Sequence, residues 1–351
     1  MRDGALAGMA LIAVGCRCPE SKPMSPAIDG VAAVTGELVG SVEMFEPRLA
    51  DHIDPSARFE KLATGFRWSE GPVWDRRSSS IWFSDVPRNM VFCWSERGGL
   101  SVHMRPSGFR AATEYSEEPG SNGLQIDREG RLVLCEHGDR RVGRIEPDGR
   151  HVTLADRFDG KRFHSPNDLV VRRDGSIYFT DPPYGLPGKL TDPLCELPFC
   201  GVYLLRVDLA GVAEVVLLAS HLTFPNGIAL SPDERILYVA ISDPNAMRIV
   251  AFDVAPDGTT SGERVFFDAM PLRGSGNKGS TDGLKIARDG TLFATGPGGV
   301  LVIEKDGTLL GRLRTGEATA NCAWGDDGST LYVTADMHLL RIQTRTKGAG
   351  F

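Results

Sequence analysis

The chain has 351 residues, with 41% hydrophobic and 24% charged residues, 41 glycines, 22 prolines and a formal net charge of −7. This balance is typical of a globular protein and excludes a largely disordered chain. Lysine and arginine are scattered and no basic run contains interleaved aromatic residues, so nucleic acid is not expected as a partner. A closed all-β architecture can hold this many residues in one domain.

The first residues differ in composition from the rest of the chain. Met1-Arg2 leads into an apolar run of small residues at 4–14, which Cys16 follows closely. This order predicts that residues 1–18 are a signal peptide or a lipoprotein signal, with a lipid anchor at Cys16 in the second case. The run is too short to be a transmembrane segment. We therefore expect an exported, periplasmic protein, or a cytoplasmic one if the leader is not a functional signal.

Residues 19–57 contain no repeat and are rich in small residues, which predicts a linker followed by an arm on the main domain. Residues 346–351 are expected to be a short tail. Cys195 and Cys200 are close in sequence and could form a disulfide in an oxidising compartment, a question that the residues leave open. No CxxC pair is present, so a structural zinc site is not expected. The sequence carries no readable indication of an oligomeric partner.

One pattern recurs between residues 58 and 345. Each unit opens with a polar residue, often followed by Gly, and continues with an apolar strand, an Asp-Gly-type turn and a second apolar strand. The units begin at Glu70, Asn122, Asn167, Asn226, Asp282 and Asn321. Spacings of roughly 40 to 60 residues suit one four-stranded blade each. The sequence therefore predicts an all-β fold, a six-bladed β-propeller with four-stranded antiparallel blades and a metal site on the central axis.

A propeller must also close its ring. The segment Phe59–Leu62, just before the first unit, is predicted to form a strand beside Leu339–Gln343 and so complete the last blade. No stretch offers a long amphipathic helix, which argues against an alternating β/α fold.

The six opening residues all carry side-chain oxygen. Equivalent positions in successive blades lie on a ring, and the start of the innermost strand points toward the central channel. Two carboxylates and several amide oxygens suit a hard cation, above all Ca²⁺, with Zn²⁺, Mn²⁺ or Mg²⁺ as alternatives. Asn, Asp and Gly are also ordinary turn residues, but six in register favour a functional ring. Asn321, between Ala320 and Cys322, could instead satisfy backbone groups.

These units resemble the senescence marker protein / gluconolactonase / luciferin-regenerating enzyme family, and most closely its bacterial gluconolactonases. The motifs that carry the resemblance are Glu70-Gly-Pro-Val-Trp, Ser165-Pro-Asn-Asp-Leu, Phe179-Thr-Asp-Pro-Pro-Tyr-Gly185, Phe224-Pro-Asn-Gly, Thr281-Asp-Gly-Leu and Ala320-Asn-Cys-Ala-Trp324. The resemblance implies one divalent ion held by Glu70, Asn167, Asn226 and Asp282. Asn167 and Asn122 remain open between metal contact and substrate contact.

The resemblance also implies a reaction, the metal-dependent hydrolysis of a small sugar lactone, with D-glucono-1,5-lactone opened to gluconate. This would make the protein a carboxylic ester hydrolase in which a metal polarises the carbonyl and a water attacks it. Asp282 is the expected catalytic base, and Asp168 is a second acid that could orient a neighbour or bond the backbone. The expected substrate-binding residues are Asn122, Asn167, His164 and Tyr184. For His164 an ordinary loop histidine is the favoured alternative.

Other functions remain open at this stage. A calcium-dependent phosphotriesterase or arylesterase would share the metal chemistry on the same propeller. In a non-catalytic propeller that binds sugar or protein, the ion would have only a structural role. A propeller resembling strictosidine synthase would not need the ring of oxygen ligands. The chain contains no Gly-x-Ser-x-Gly elbow, and no Gly-x-x-x-x-Gly-Lys-Ser/Thr or Gly-x-Gly-x-x-Gly motif opens a predicted helix.

Overall fold

The computed structural model describes residues 28, 30–113, 115–208, 211–274 and 276–351. The predicted signal at 1–18, including Cys16, and residues 19–27 of the predicted linker lie outside this part. Regular structure in the described residues is almost entirely β-strand, with short 3-10 helices at Pro47–Asp51, Lys189–Thr191 and Met270–Leu272. Within the same residues, no helix is long and apolar enough to cross a membrane.

The strands are numbered along the chain. They are β1 (Ala32–Val39), β2 (Ser41–Met44), β3 (Phe59–Thr64), β4 (Ser69–Asp75), β5 (Ser80–Asp85), β6 (Met90–Ser95), β7 (Gly99–Met104), β8 (Ser121–Ile126), β9 (Leu132–Glu136), β10 (Arg141–Ile145), β11 (His151–Ala155), β12 (Arg157–Phe158), β13 (Lys161–Arg162), β14 (Leu169–Val171), β15 (Ile177–Asp181), β16 (Gly201–Val207), β17 (Ala213–Ala219), β18 (Pro225–Leu230), β19 (Ile236–Ile241), β20 (Arg248–Val254), β21 (Thr260–Asp268), β22 (Leu284–Ile286), β23 (Leu292–Gly296), β24 (Gly299–Ile303), β25 (Leu309–Arg314), β26 (Thr319–Gly325), β27 (Thr330–Ala335) and β28 (His338–Gln343).

Six antiparallel sheets follow one another as the blades of a propeller, which confirms the predicted fold. Blades one to five are β4–β7, β8–β11, β14–β17, β18–β21 and β22–β25, and blade six is built from β26, β27, β28 and β3. The first strand of each blade is innermost, and these six inner strands contact one another in a closed circle. The small hairpin β12–β13 lies between blades two and three.

The ring closes through the N-terminal part of the chain, as predicted. Strand β3 pairs antiparallel with β28, with Lys61 opposite Leu340 and Glu60 opposite Arg341. The Arg341 guanidinium also lies 2.7 Å from the Glu60 carboxylate. The last blade is thus completed by a strand that precedes the first blade in sequence.

Two blades are wider than the repeat predicts. Strand β1 adds to the outer side of β3 in blade six, and β2 adds to β25 in blade five, so each of these sheets has five strands. Both added strands come from residues before the first unit, which is why the repeat gave no sign of them. They cover sheet edges that would otherwise present unpaired backbone groups.

The hydrophobic core is divided among the spaces between blades. Each cluster of buried apolar side chains joins the facing sheets of two consecutive blades, as Val133 of blade two and Phe179 of blade three do. Cys195 and Cys200 are free thiols in the structure and form no disulfide with each other.

The glycines that follow the opening residues are required by the close approach of the inner strands. A Cβ added at Gly123 would lie 2.7 Å from the backbone oxygen of Asn167 in the next blade. A Cβ at Gly71 would overlap the backbone oxygen of Asn122, and one at Gly227 that of Asp282. These glycines therefore serve inter-strand packing rather than a hairpin turn.

We expect Gly227→Ala to destabilise the propeller, because the atom that the new methyl meets is backbone and cannot swing aside. The expected loss is about 1–3 kcal/mol in the free energy of unfolding, measured by urea denaturation. Gly274→Ala is the matched control, since nothing lies within 4 Å of a Cβ there. Equal stability of the two variants would contradict the packing argument.

Candidate active site

The predicted opening residues lie at the same end of the propeller axis. Glu70, Asn122, Asn226 and Asn321 lie near the starts of inner strands β4, β8, β18 and β26, while Asn167 and Asp282 lie two residues before β14 and β22. All are buried except Asp282, which is partly exposed.

Hydroxyl groups fix adjacent inner strands by donating to backbone oxygens across blade boundaries: Ser84 to Asn122 at 2.9 Å, Thr180 to Asn226 at 2.7 Å and Thr295 to Ala320 at 2.9 Å.

Three carboxylates share this enclosed space. Burial raises the pKa of Glu70 to about 8, and the nearby Asp168 carboxylate adds to the rise, although a 2.8 Å hydrogen bond from Gly71 N opposes it. Burial also raises the pKa of Asp282 well above its ordinary value, and Glu70 and Asp168 reinforce the shift. Burial raises the pKa of Asp168 too, against the attraction of the Lys285 ammonium. With all four groups ionised, the set carries a net charge of −2.

Neighbouring side chains fix the orientation of the two amides in the predicted metal set. The Asn226 amide nitrogen donates to Ser242 Oγ at 3.3 Å, and the Asn167 amide nitrogen lies 3.5 Å from His137 Nε2. An amide whose nitrogen is held in this way turns its oxygen to the opposite side. The predicted set is thereby given oxygen donors of fixed direction.

The donors present fit a hard divalent cation. The buried oxygens Asn167 Oδ1, Asn122 Oδ1 and Asp282 Oδ1 have no hydrogen-bond partner in the described part of the chain. Buried polar atoms normally have hydrogen-bond partners, so a group of buried oxygens without them indicates a bound cation or hydrogen-bond donor at this place. No three His, Cys, Asp or Glu side chains within the described ranges form a metal-binding cluster. The candidate set differs from such clusters because half of its donors are amides, which suits Ca²⁺.

Asn321 has a different role from the other opening residues. Its Oδ1 accepts a 2.9 Å bond from Cys322 N, the backbone-satisfying role that its apolar neighbours suggested. Its Nδ2 lies 3.4 Å from Glu70 Oε2 and 3.5 Å from Asp168 Oδ2. Asn321 therefore donates toward two carboxylates and links the metal set to Asp168.

An aromatic wall stands beside Asn226. The Tyr184 hydroxyl lies 2.5 Å from Ser242 Oγ, the group that holds the Asn226 amide, and its ring stacks on Phe224 with centroids 5.8 Å apart. Phe224 has a φ of 47°, which is uncommon for a bulky residue and is typical of functional positions. Burial also raises the pKa of Tyr184, so this hydroxyl stays protonated at neutral pH.

His164 is placed differently from the other predicted substrate contacts. Its side chain is fully buried, and its Nε2 lies 3.0 Å from the backbone oxygen of Leu197. Its backbone N–H donates to Asp181 at 2.8 Å. Among the described residues, no hydrogen bond joins His164 to the axial set.

Three side chains near the axis did not follow from the repeat. His137 directly follows β9 and Ser242 directly follows β19, while Glu118 lies in the connection before β8. Burial lowers the pKa of His137 to about 4 and raises that of Glu118 to about 7. In each blade the second strand runs antiparallel to the inner strand and ends beside the start of the inner strand. A search of the residue that directly follows each second strand would therefore have found His137 and Ser242.

The fold and the site define a six-bladed propeller with carboxylate and amide oxygens gathered at its axis. The family model for the SMP-30/Gluconolactonase/LRE-like region matches residues 68–336. The chain belongs to this family, as the motifs predicted.

Relatives extend over nearly the whole chain. A gluconolactonase from Zymomonas mobilis is 34% identical over 327 residues, covering 90% of this chain and 89% of that protein. A solved structure of a gluconolactonase from Xanthomonas campestris is 31% identical with a TM-score of 0.73, covering 90% of this chain and 99% of that one. The calcium-binding protein regucalcin from Agrobacterium tumefaciens has a TM-score of 0.61, covers 82% of this chain and 92% of its own, and shares the fold at 18% identity.

We expect the chelated protein to lose stability as pH rises from about 4.5 to about 8. The ordinary pKa of Glu70 is 4.5 and its folded pKa is about 8, so the unfolded state releases its proton first over this interval and is favoured. Added Ca²⁺ should restore more stability at pH 8 than at pH 5. Melting temperatures measured across this pH range should vary less for Glu70→Gln than for the wild type. Parallel profiles for the two proteins would contradict a raised pKa of Glu70.

Proposed function

We propose that this protein is a metal-dependent lactone hydrolase, a carboxylic ester hydrolase whose substrate is a sugar lactone of the D-glucono-1,5-lactone type. The observation that carries the proposal is a group of buried oxygens at the axis that have no hydrogen-bond partner among the described residues. They lie beside Glu70 and the Tyr184–Phe224 wall. The gluconolactonase relative that matches 90% of the chain supports the same reaction.

Glu70, Asn167, Asn226 and Asp282 would hold one divalent ion, with Ca²⁺ favoured over Zn²⁺, Mn²⁺ and Mg²⁺. The set contains no sulfur or imidazole ligand, which disfavours Zn²⁺. Two carboxylates together with two amide oxygens suit Ca²⁺ better than Mg²⁺, which usually keeps several waters and few protein ligands. The net charge of −2 on Glu70, Asp168, Asp282 and Lys285, when all are ionised, matches one such ion. When bound, the ion supplies a Lewis acid that polarises the lactone carbonyl.

Asp282 is the residue proposed to receive the proton of the attacking water. Its Oδ1 is enclosed and has no hydrogen-bond partner in the described chain, so it is free to accept one from water. As the water oxygen bonds to the carbonyl carbon, a proton passes to Asp282. The ring carbon–oxygen bond then breaks, and the departing alkoxide takes the proton to become the new hydroxyl. The product is the open-chain hydroxy acid.

The remaining residues are proposed to hold the substrate. Asn122 offers a substrate hydroxyl its Oδ1, which has no hydrogen-bond partner in the described part of the chain, and Asn167 is the corresponding residue of the next blade. The ring of Phe224 offers an apolar face against which a sugar ring can pack. The ring of Tyr184 stacks on Phe224 and completes the wall.

The function is tested by measuring proton release with an aldonolactone, an acyl-homoserine lactone and an aryl phosphate ester. We expect the aldonolactone to be the preferred substrate. Hydrolysis of the aryl phosphate alone would replace the proposal by a phosphotriesterase activity on the same propeller. Calcium binding without any turnover would indicate a binding protein.

We expect Asp282→Asn to lower kcat by roughly 10²–10⁴-fold, because the amide cannot accept the proton of the attacking water. Circular dichroism should show an unchanged fold, since the substitution preserves shape. Asp306→Asn is the matched control, since Asp306 is an exposed acid whose carboxylate accepts the backbone N–H of Thr308 in a turn. Full activity of Asp282→Asn would remove Asp282 from the reaction.

We expect a strong chelator to abolish turnover and to lower the melting temperature, because the axial carboxylates then repel one another without a counter-charge. Titrating Ca²⁺, Mn²⁺, Zn²⁺ and Mg²⁺ back should restore activity to different degrees. Activity that survives exhaustive chelation would contradict metal dependence.

A further inference from the structure

We propose that His137 and Glu118 are positioning residues that hold the Asn167 amide with its oxygen toward the axis. The proposal rests on the proposed metal-dependent function. His137 directly follows β9 in blade two, whereas Asn167 precedes β14 in blade three, so the contact crosses a blade boundary. The His137 Nε2 lies 3.5 Å from Asn167 Nδ2, and both residues are buried.

The chemistry of the two groups fixes their hydrogen-bonding roles. An amide nitrogen can only donate, so His137 Nε2 must accept and the ring proton must be on Nδ1. Within the described chain, Nδ1 has no hydrogen-bond partner, and the nearest carboxylate is Glu118 Oε2 at 3.8 Å. Glu118 therefore favours the tautomer that leaves Nε2 free to accept from Asn167.

The orientation matters because the two ends of an amide are nearly the same shape. Without an acceptor on its nitrogen side, the Asn167 amide could turn by 180° and present N–H groups to the place of the cation. The held orientation leaves Asn167 Oδ1 on the other side, buried and unpartnered within the described residues. Hydrogen bonds from residues outside the ligand set commonly fix the direction of a metal site's ligands.

The packing around His137 shows that the ring has a defined place. A Cβ added at Gly185, which ends the Phe179–Gly185 motif, would lie 2.5 Å from His137 Cβ and 2.8 Å from Ser165 Cβ. The glycine thus lets the connection after β15 close against His137. Asn226 has a corresponding arrangement, in which Ser242 accepts from its amide and contacts Tyr184. Each amide of the metal set is therefore held by a residue that directly follows a second strand.

The test compares His137→Gln with His137→Leu. Glutamine can place an oxygen acceptor near the former Nε2, whereas leucine fills the space without one. Calcium affinity is measured by isothermal titration calorimetry on protein freed of metal by chelation, and the fold is checked by thermal unfolding of the same samples. We expect His137→Leu to weaken Ca²⁺ binding by roughly 10–100-fold and His137→Gln to restore most of the affinity.

A double-mutant cycle shows whether the effect passes through Asn167. In an Asn167→Ala background, His137→Leu should cause little further loss of Ca²⁺ affinity, because the group it orients is already absent. Full, additive losses would overturn the proposal, as would wild-type affinity in a folded His137→Leu protein. Equal losses in the Leu and Gln variants would assign His137 to packing alone.

Glu118 provides a second pair of variants if His137→Leu does not fold, since its side chain is 35% exposed. Glu118→Gln and Glu118→Leu remove the same charge, but only Gln keeps a polar oxygen beside His137 Nδ1. Tighter Ca²⁺ binding by the Gln variant supports the proposal and equal binding by both overturns it. Lactone turnover by the wild type is recorded separately. If that turnover is absent while the Ca²⁺ series behaves as expected, the proposed function fails and the positioning role stands.

Discussion

The electrostatic repulsion among Glu70, Asp168 and Asp282 is the constraint on which the rest of the site depends. These carboxylates come from blades one, three and five, and their charges disfavour one another's ionisation. Like charges in an enclosed space tend to separate or to take up protons. They stay together because each is part of a rigid inner strand or of the residues that directly precede one. Asn321 and Lys285 offset part of the repulsion from within the ring.

Closure of the ring is therefore a condition for the site as well as for the fold. The proposed ligands come from blades one, three, four and five, so no blade alone holds a cation. Glu70 belongs to β4, only a few residues after β3, the strand that closes the last blade. Pairing of β3 with β28 positions Glu70 beside Asn321, whose amide lies 3.4 Å from it. The covalent order of the chain thus links the pairing of β3 with β28 to the geometry of the candidate site.

The sequence predicted the blades and the axial residues because both repeat with the strand pattern. It could not predict β1 and β2, whose pairing depends on sheet edges that exist only after folding. It missed His137 and Ser242 because they share a position in the blade but not a residue type. The Asn-Gly pairs were open to a turn interpretation, since the reason for the glycine lies in the neighbouring blade. His164 looked like a pocket residue because it precedes Asn167 in sequence, yet its ring bonds the backbone of Leu197.

The mixture of amides and carboxylates follows from the same charge balance. An aspartate at position 167 or 226 would add another negative charge to a set that already carries −2 and would exceed what one divalent ion neutralises. It would also remove the amide N–H group that now faces His137 Nε2, at position 167, or donates to Ser242 Oγ, at position 226. Asparagine supplies an oxygen without charge, but its direction must be fixed from outside the set. Neutral amide donors therefore require further residues that hold them in one orientation. His137 at the end of the second strand of blade two and Ser242 at the end of the second strand of blade four are those residues.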